Sequence, residues 1–198
     1  MDSAQILVER GLLFVVAPVW LLAGLADAVC HRVVRIEHTA GVRESLLHLL
    51  MLAQLSVAAL SPLPLQPTAA VFALMLIACL AHEATTCADL AWAASHRPVP
   101  WFEQWVHGVQ QAMPWAWLTG WMIVYAPQAL ALLGLGVESR DWGLRPRQEP
   151  LPAGYIAAFL AGSLLLVVLP FAYEWWRCWR ARTHVGDSSG SDSSARAN

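Results

Sequence analysis

Pairs of a carboxylate and a histidine, four residues apart, occur at three places in this chain. They are Asp27 with His31, Glu44 with His48, and Glu103 with His107. Residues four apart lie on one face of a helix, so each pair can present both side chains to the same neighbour. Imidazole and carboxylate groups hold iron, manganese or zinc between the helices of a bundle. The spacing therefore predicts a metal site, either mononuclear or dinuclear.

A longer spacing predicts a fourth polar stripe. His82, Asp89 and His96 stand seven residues apart, and such a stripe drifts only about 20° per heptad around a helix. Glu83 lies beside His82. The run from Thr68 to His82 is about 21 Å of helix, which places both residues inside a hydrocarbon core about 30 Å thick. Ionisable groups at that depth are expensive, so they indicate a functional site.

The predicted metal ligands come from four helices and fall in the same half of the protein. They are Asp27, His31, Glu44, His48, His82, Glu83, Asp89, His96, Glu103 and His107, with the loop residues Glu37 and His38 as weaker candidates. This donor set favours iron, with zinc, manganese or copper as alternatives. Heme is less favoured, because acids are interleaved with the histidines.

Two observations argue against a metal site of a known type, or against any metal site. Soluble di-iron bundles use Glu-x-x-His and membrane di-iron enzymes use dense histidine boxes, and this chain has neither pattern. Each pair can instead be an ion pair at a helix end. Glu44 and Glu103 would suit helix N-termini, where the helix dipole favours acids.

The composition predicts a membrane protein. Hydrophobic residues make up 58% of the 198 residues and charged residues 13%, whereas soluble domains carry about 25% charged residues. Mean hydropathy is +0.50. A span needs roughly 20 mainly apolar residues, and five segments are candidates: 11–30, 46–62, 68–94, 113–134 and 153–173. We expect an all-α integral membrane domain over residues 1–182, in which four of about five helices form a bundle. The Ser-rich tail at 183–198 is expected to be disordered.

The arginines predict the orientation, since the chain has no lysine. Most of them lie in the first loop, in the third loop and after the last span, whereas a smaller set, Arg10, Arg140, Arg145 and Arg147, falls on the opposite side. With five spans these regions share one side, which the positive-inside rule makes cytoplasmic. We therefore expect an inner-membrane protein with its N-terminus outside, its C-terminus in the cytoplasm and the polar stripes in the cytoplasmic half. The segment "YEWWRCWRAR" at 173–182 is interpreted as an aromatic and basic anchor at the inner interface.

The predicted partners follow from charge and hydropathy. A net charge of −2 argues against a nucleic-acid partner. The expected partners are the lipid bilayer and either a lipid-soluble substrate or another membrane protein.

Four stretches resemble a family of small, uncharacterised bacterial multi-pass membrane proteins. They are "APVWLLAGLADAVCHR", "RIEHTAGVRESLLHLLMLAQ", "AHEATTCADLAWAASHR" and "FEQWVH", within about the first two thirds of the chain. Members of this family carry the label diguanylate cyclase, but this chain lacks the G-G-D/E-E-F signature and a soluble catalytic domain. The order H…D-L-A…E-x-x-x-H from His82 to His107 is also similar to membrane-embedded cytochrome oxidase assembly factors. That resemblance implies metal handling, with copper as the cargo.

Three functions are compatible with the sequence. The first is a metal-dependent oxidoreductase in the membrane that acts on a lipid-soluble substrate. The second is a non-catalytic metal-handling or assembly protein that uses the same ligands. The third is a structural membrane protein without metal, whose charged helix ends only fix its topology. The sequence contains no substrate-pocket motif that separates the first two.

Overall fold

The computed structural model is all-helical, which confirms the predicted fold class. It describes the backbone of residues 2–194 and the side chains of residues 2–182. The predicted disordered tail at 183–198 falls beyond the described side chains, so it stays a prediction. Six helices follow one another in the described chain: α1 (Ser3–Val33), α2 (Gly41–Leu60), α3 (Ala69–His96), α4 (Trp101–Val124), α5 (Ala126–Leu133) and α6 (Ala153–Arg182).

Among the described residues, α1, α2, α3 and α6 are each long and apolar enough to cross a membrane. A fifth span is formed only if α4 and α5 count together, because the chain bends by 107° between them. The predicted span at 113–134 contains this bend and is not one straight helix. Pro127 stands in the first turn of α5 and cannot continue the preceding helix, so α4 ends at Val124 and Tyr125 leaves the helical conformation.

The helices alternate in direction, so one end of the bundle collects most of the polar residues. At this end of the bundle, which we call the polar end, helices α1, α3 and α6 finish and helices α2 and α4 begin. The helices extend further at this end than the predicted spans do. Hydropathy windows stop at the first charged residues, whereas α3 continues to His96 and α4 already begins at Trp101.

The apolar core lies in the opposite half, which we call the far end. Trp117 and Trp121 of α4 and Phe72 and Met75 of α3 are fully buried there. The α1 and α4 helices approach closely at Gly120, where an added Cβ would lie 2.5 Å from a side-chain carbon of Leu12. This core positions the helices from which the polar end is built.

Candidate metal centre

Glu174 of α6 holds two histidines side by side. Its two carboxylate oxygens accept hydrogen bonds from Nδ1 of His31 at 2.9 Å and from Nδ1 of His48 at 2.8 Å. The two imidazole rings are stacked with their centroids 4.3 Å apart and their planes 6° from parallel. A carboxylate only accepts, so both Nδ1 atoms carry a proton, and in the neutral form of each imidazole the lone pair is on Nε2. Both Nε2 atoms point away from Glu174, and all three residues are buried.

The Nε2 atom of His31 belongs to a first ligand group, formed by Asp27, His31, Glu103 and His107. One ligand atom from each of these residues lies within 4.8 Å of the other three. Asp27 Oδ1 is 3.3 Å from His31 Nε2 and 3.0 Å from His107 Nε2, and Glu103 Oε1 is 3.5 Å from His31 Nε2. Ligand atoms about 2.0–2.2 Å from one ion stand about 3 Å from each other. The group therefore has nearly the size of a metal coordination shell.

The Nε2 atom of His48 belongs to a second ligand group, formed by Glu44, His48 and Asp89. Ligand atoms of these three residues also lie within 4.8 Å of one another. His48 Nε2 is 3.4 Å from Asp89 Oδ1, and all three residues are buried. The two groups are thus neighbours, joined through the stacked histidines.

Arg97 connects the two groups from the polar end. Its guanidinium donates hydrogen bonds to both oxygens of Glu44 and both oxygens of Glu103. The α3 helix stops at His96 because Pro98 follows, and Arg97 is extended, with φ −157° and ψ 156°. Burial alone would lower the pKa of Arg97, but its bonds to Glu103 and Glu44 raise that pKa above its ordinary value. Arg97 is therefore a fixed positive charge between two carboxylates.

Several polar atoms of the cluster are buried without a hydrogen bond. They are Nε2 of His31, Nε2 of His48, Oδ1 of Asp89 and Nδ1 of His107. A buried polar atom without a partner costs about 1–3 kcal/mol. Three of these four atoms face the ligand groups, and the two histidine nitrogens among them lie 3.3–3.5 Å from carboxylate oxygens. The residues present therefore fit a bound cation, and they also fit protonated histidines paired with carboxylates.

Seven of the ten predicted ligands are thus brought together, and three lie elsewhere. His82 is buried deeper on α3, where its Nε2 is 3.4 Å from Thr86 Oγ1. Glu83 is half-buried and belongs to neither group. His96 is exposed and lies against Trp92, with ring centroids 3.7 Å apart. The heptad spacing failed for His96 because its stripe drifts by about 40° over two heptads and α3 ends there.

The two weaker candidates also lie outside both groups. Glu37 accepts a hydrogen bond from Arg177 at 3.3 Å, and His38 is exposed. Both belong to the connection between α1 and α2, where a short 3₁₀ turn covers Ile36–His38.

Sequence reasoning missed Glu174 and Arg97. Glu174 sits in the segment predicted to be an interfacial anchor, and Arg97 is the arginine of the third loop, which the sequence relates only to orientation. One signal could have found Glu174: it is the only acid between Ala153 and Arg182, the part of α6 whose side chains are described, and Cys178 follows one turn later on the same face. Both are buried in a segment where Tyr173 and Trp176 are largely exposed.

An apolar cavity of about 250 Å³ opens beside the two ligand groups. Asp27, His48, Asp89 and His107 line its polar end, and His82 lies next to them. The remaining wall is mainly apolar and comes from α1, α2 and α6. A largely apolar pocket with a few convergent polar groups is typical of small-molecule sites.

Comparisons with protein-family models, with curated protein sequences and with solved structures found no match for this chain. The two resemblances stated above therefore stay predictions, and the functional argument depends on the geometry of the cluster.

Proposed function

We propose that the protein is a membrane metalloprotein that binds two divalent cations, one in each ligand group, and acts as an oxidoreductase on a lipid-soluble substrate. The stacked pair of His31 and His48 is the observation that carries this proposal. The two nearly parallel rings have their centroids 4.3 Å apart, and each turns its Nε2 away from the shared carboxylate towards a different ligand group. Metal ions in two-metal sites are about 3.5–4 Å apart. One imidazole for each ion matches that spacing.

The charge of the cluster supports two cations. Its five carboxylates belong to Asp27, Glu44, Asp89, Glu103 and Glu174, all of them buried. With Arg97 as the one permanent cation, neutral imidazoles leave a formal charge of −4. Uncompensated buried charge is strongly unfavourable. Two divalent cations would cancel this charge, whereas protonation of His31, His48 and His107 would leave −1.

The donor set favours iron among the candidate metals. Imidazole and carboxylate ligands suit iron, manganese and zinc, whereas copper(I) prefers thiolate or thioether sulfur. The four cysteines are free and belong to neither ligand group, which gives little support to copper delivery. Bound iron would supply redox chemistry and a place for dioxygen. The protein's own contribution is to fix the histidine tautomers through Glu174, to hold Glu44 and Glu103 through Arg97, and to exclude water.

The orientation proposed for the site follows the arginines. Arg32, Arg35, Arg43, Arg97 and Arg177 all lie at the polar end of the bundle, which the positive-inside rule makes cytoplasmic. The helices are proposed to cross the inner membrane, with the lipid bilayer as the surrounding partner. The metal pair would then lie in the cytoplasmic half.

Metal analysis tests the proposal. The chain is expressed with iron, zinc, manganese and copper supplied, purified in detergent, and its metals are counted by mass spectrometry. We expect two ions per chain, and loss of at least one ion in His48→Ala and in His107→Ala. His96→Ala is the matched control, because this exposed histidine lies outside both groups, and it should keep both ions. A wild-type protein without metal, or two ions retained in both ligand variants, would overturn the proposal.

Dioxygen uptake tests the part of the proposal that makes the protein an oxidoreductase. The metal-loaded protein is mixed with membrane lipids and a reductant, and oxygen is followed with an electrode. We expect uptake that is lost in His48→Ala. A protein with two ions and no uptake would leave metal handling as the better assignment.

A further inference from the structure

The cavity beside the ligand groups extends along the bundle. Along α2 its wall runs from His48 to Leu60, twelve residues apart, which is about 18 Å of helix. The charged and imidazole side chains of its wall are all near His48, whereas Ser56 and Ser163 are polar residues further along it, and their hydroxyls donate to their own helix backbones. The opposite end, near Leu60 and Phe159, is apolar.

This cavity opens sideways, between α2 and α6. The two helices pack together from Leu169 towards the polar end, where His48 binds Glu174, and they make few contacts over residues 153–168. Leu160 and Leu164 line the cavity and are nevertheless 47% and 48% exposed. The opening therefore lies in the apolar belt of the bundle, where a surrounding bilayer would be hydrocarbon.

We propose that the cavity binds one hydrocarbon tail of a membrane lipid, with the methyl end of the tail beside the two ligand groups. This inference rests on the proposed function, because it names the substrate class of that site. The hydrocarbon core is about 30 Å thick and shared by two leaflets, so one tail spans about 15 Å. That length matches the cavity.

The direction of the tail follows from where the helices are joined. At the polar end α2 and α6 are closed by the His48–Glu174 hydrogen bond and by Phe171, whose ring lies 5.6 Å from that of His48. A headgroup cannot leave there. At the far end the two helices are separated, so the headgroup remains in the far leaflet and the tail points towards the metals.

Photo-crosslinking in vesicles tests this placement. The protein is reconstituted with a phospholipid that carries a diazirine either at the methyl end or near the carbonyl end of one tail. Labelled peptides are then mapped by mass spectrometry. The methyl-end probe should label Met51 and Phe171, and the carbonyl-end probe should label Leu60 and Leu160. The reversed pattern, or labelling confined to outward residues such as Val57, would overturn the inference.

A matched pair of variants tests whether the label enters the cavity. Ala59 lines it, whereas Ala53 of the same helix is exposed and does not. We expect Ala59→Trp to reduce methyl-end labelling at least about tenfold by filling the space, while Ala53→Trp leaves it unchanged. Leu164→Trp, at the half-exposed mouth, is the second variant if Ala59→Trp does not fold. Equal labelling in the filled and control variants would contradict the inference.

Metal content is measured on the same samples, so the two proposals can fail separately. Two bound ions without labelling inside the cavity would overturn the lipid tail and leave the metal site intact. Labelling inside the cavity of a protein that takes up no metal would instead overturn the proposed function.

Discussion

If the protein binds two metal ions as proposed, replacing Glu174 with Gln should weaken the binding of one ion and leave the binding of the other unchanged. The carboxylate accepts from both Nδ1 atoms, whereas an amide has one accepting oxygen and one donating nitrogen. One histidine keeps its partner. The other faces an N–H group and must move its proton to Nε2, which removes the lone pair that the cation needs. Changing such an outer partner typically costs about 10–100-fold in metal affinity, or roughly 1.4–2.8 kcal/mol.

A titration with buffered free metal would measure this effect. Bound metal is counted at each free concentration, and we expect one of the two binding steps to move by about one to two decades in Glu174→Gln. Glu174→Ala removes both acceptors, so both steps should move. The matched control is Glu37→Gln, which makes the same chemical change at an acid bound to Arg177 outside both ligand groups. Unchanged steps in Glu174→Gln, or an equal shift in Glu37→Gln, would refute the reasoning.

Three further outcomes are expected. Arg97→Met removes the cation between two buried carboxylates and should cost about 3–5 kcal/mol of stability without metal, measured by thermal unfolding in detergent. Bound cations should reduce that cost, so an equal loss of stability in Arg97→Met with and without metal would contradict this expectation. Gly120→Ala places a Cβ 2.5 Å from a carbon of α1 and should destabilise by about 1–3 kcal/mol. Gly108→Ala, in the same helix with nothing within 4 Å, should stabilise by about 0.5–1 kcal/mol, and matching effects of the two variants would refute the packing argument. Reporter fusions at Gly41 and Gln66 should report cytoplasm and outside respectively, and the reverse result would refute the orientation.

The sequence predicted the helices and much of the cluster because both depend on short-range periodicity. A separation of four residues fixes that Asp27 and His31 share a face, whatever packs against them. Hydropathy likewise located the apolar part of each helix. It could not locate the bend at Tyr125, because the residues on both sides of the bend are equally apolar.

The contacts between distant residues could not be predicted from these patterns. Glu174 and His31 are separated by 143 residues, and nothing in their local spacing pairs them. Arg97 was misjudged for a related reason: a loop arginine is normally solvated, and only the extended backbone before Pro98 turns this one into the bundle. His96 shows the opposite error, because its heptad spacing suggested a shared face, but the drift over two heptads leaves it exposed at the end of α3.

The position of Glu174 on α6 has a consequence for biosynthesis. A chain grows from its N-terminus at about 5–20 residues per second, so residue 174 follows residue 31 by roughly 7 to 29 seconds. During that interval the nascent bundle contains His31, and later His48, without the carboxylate that fixes their tautomers. Strong binding would therefore arise only when α6 has been added. If the chain binds metal as proposed, a polypeptide stalled on the ribosome before α6 would hold it more weakly than the finished chain does.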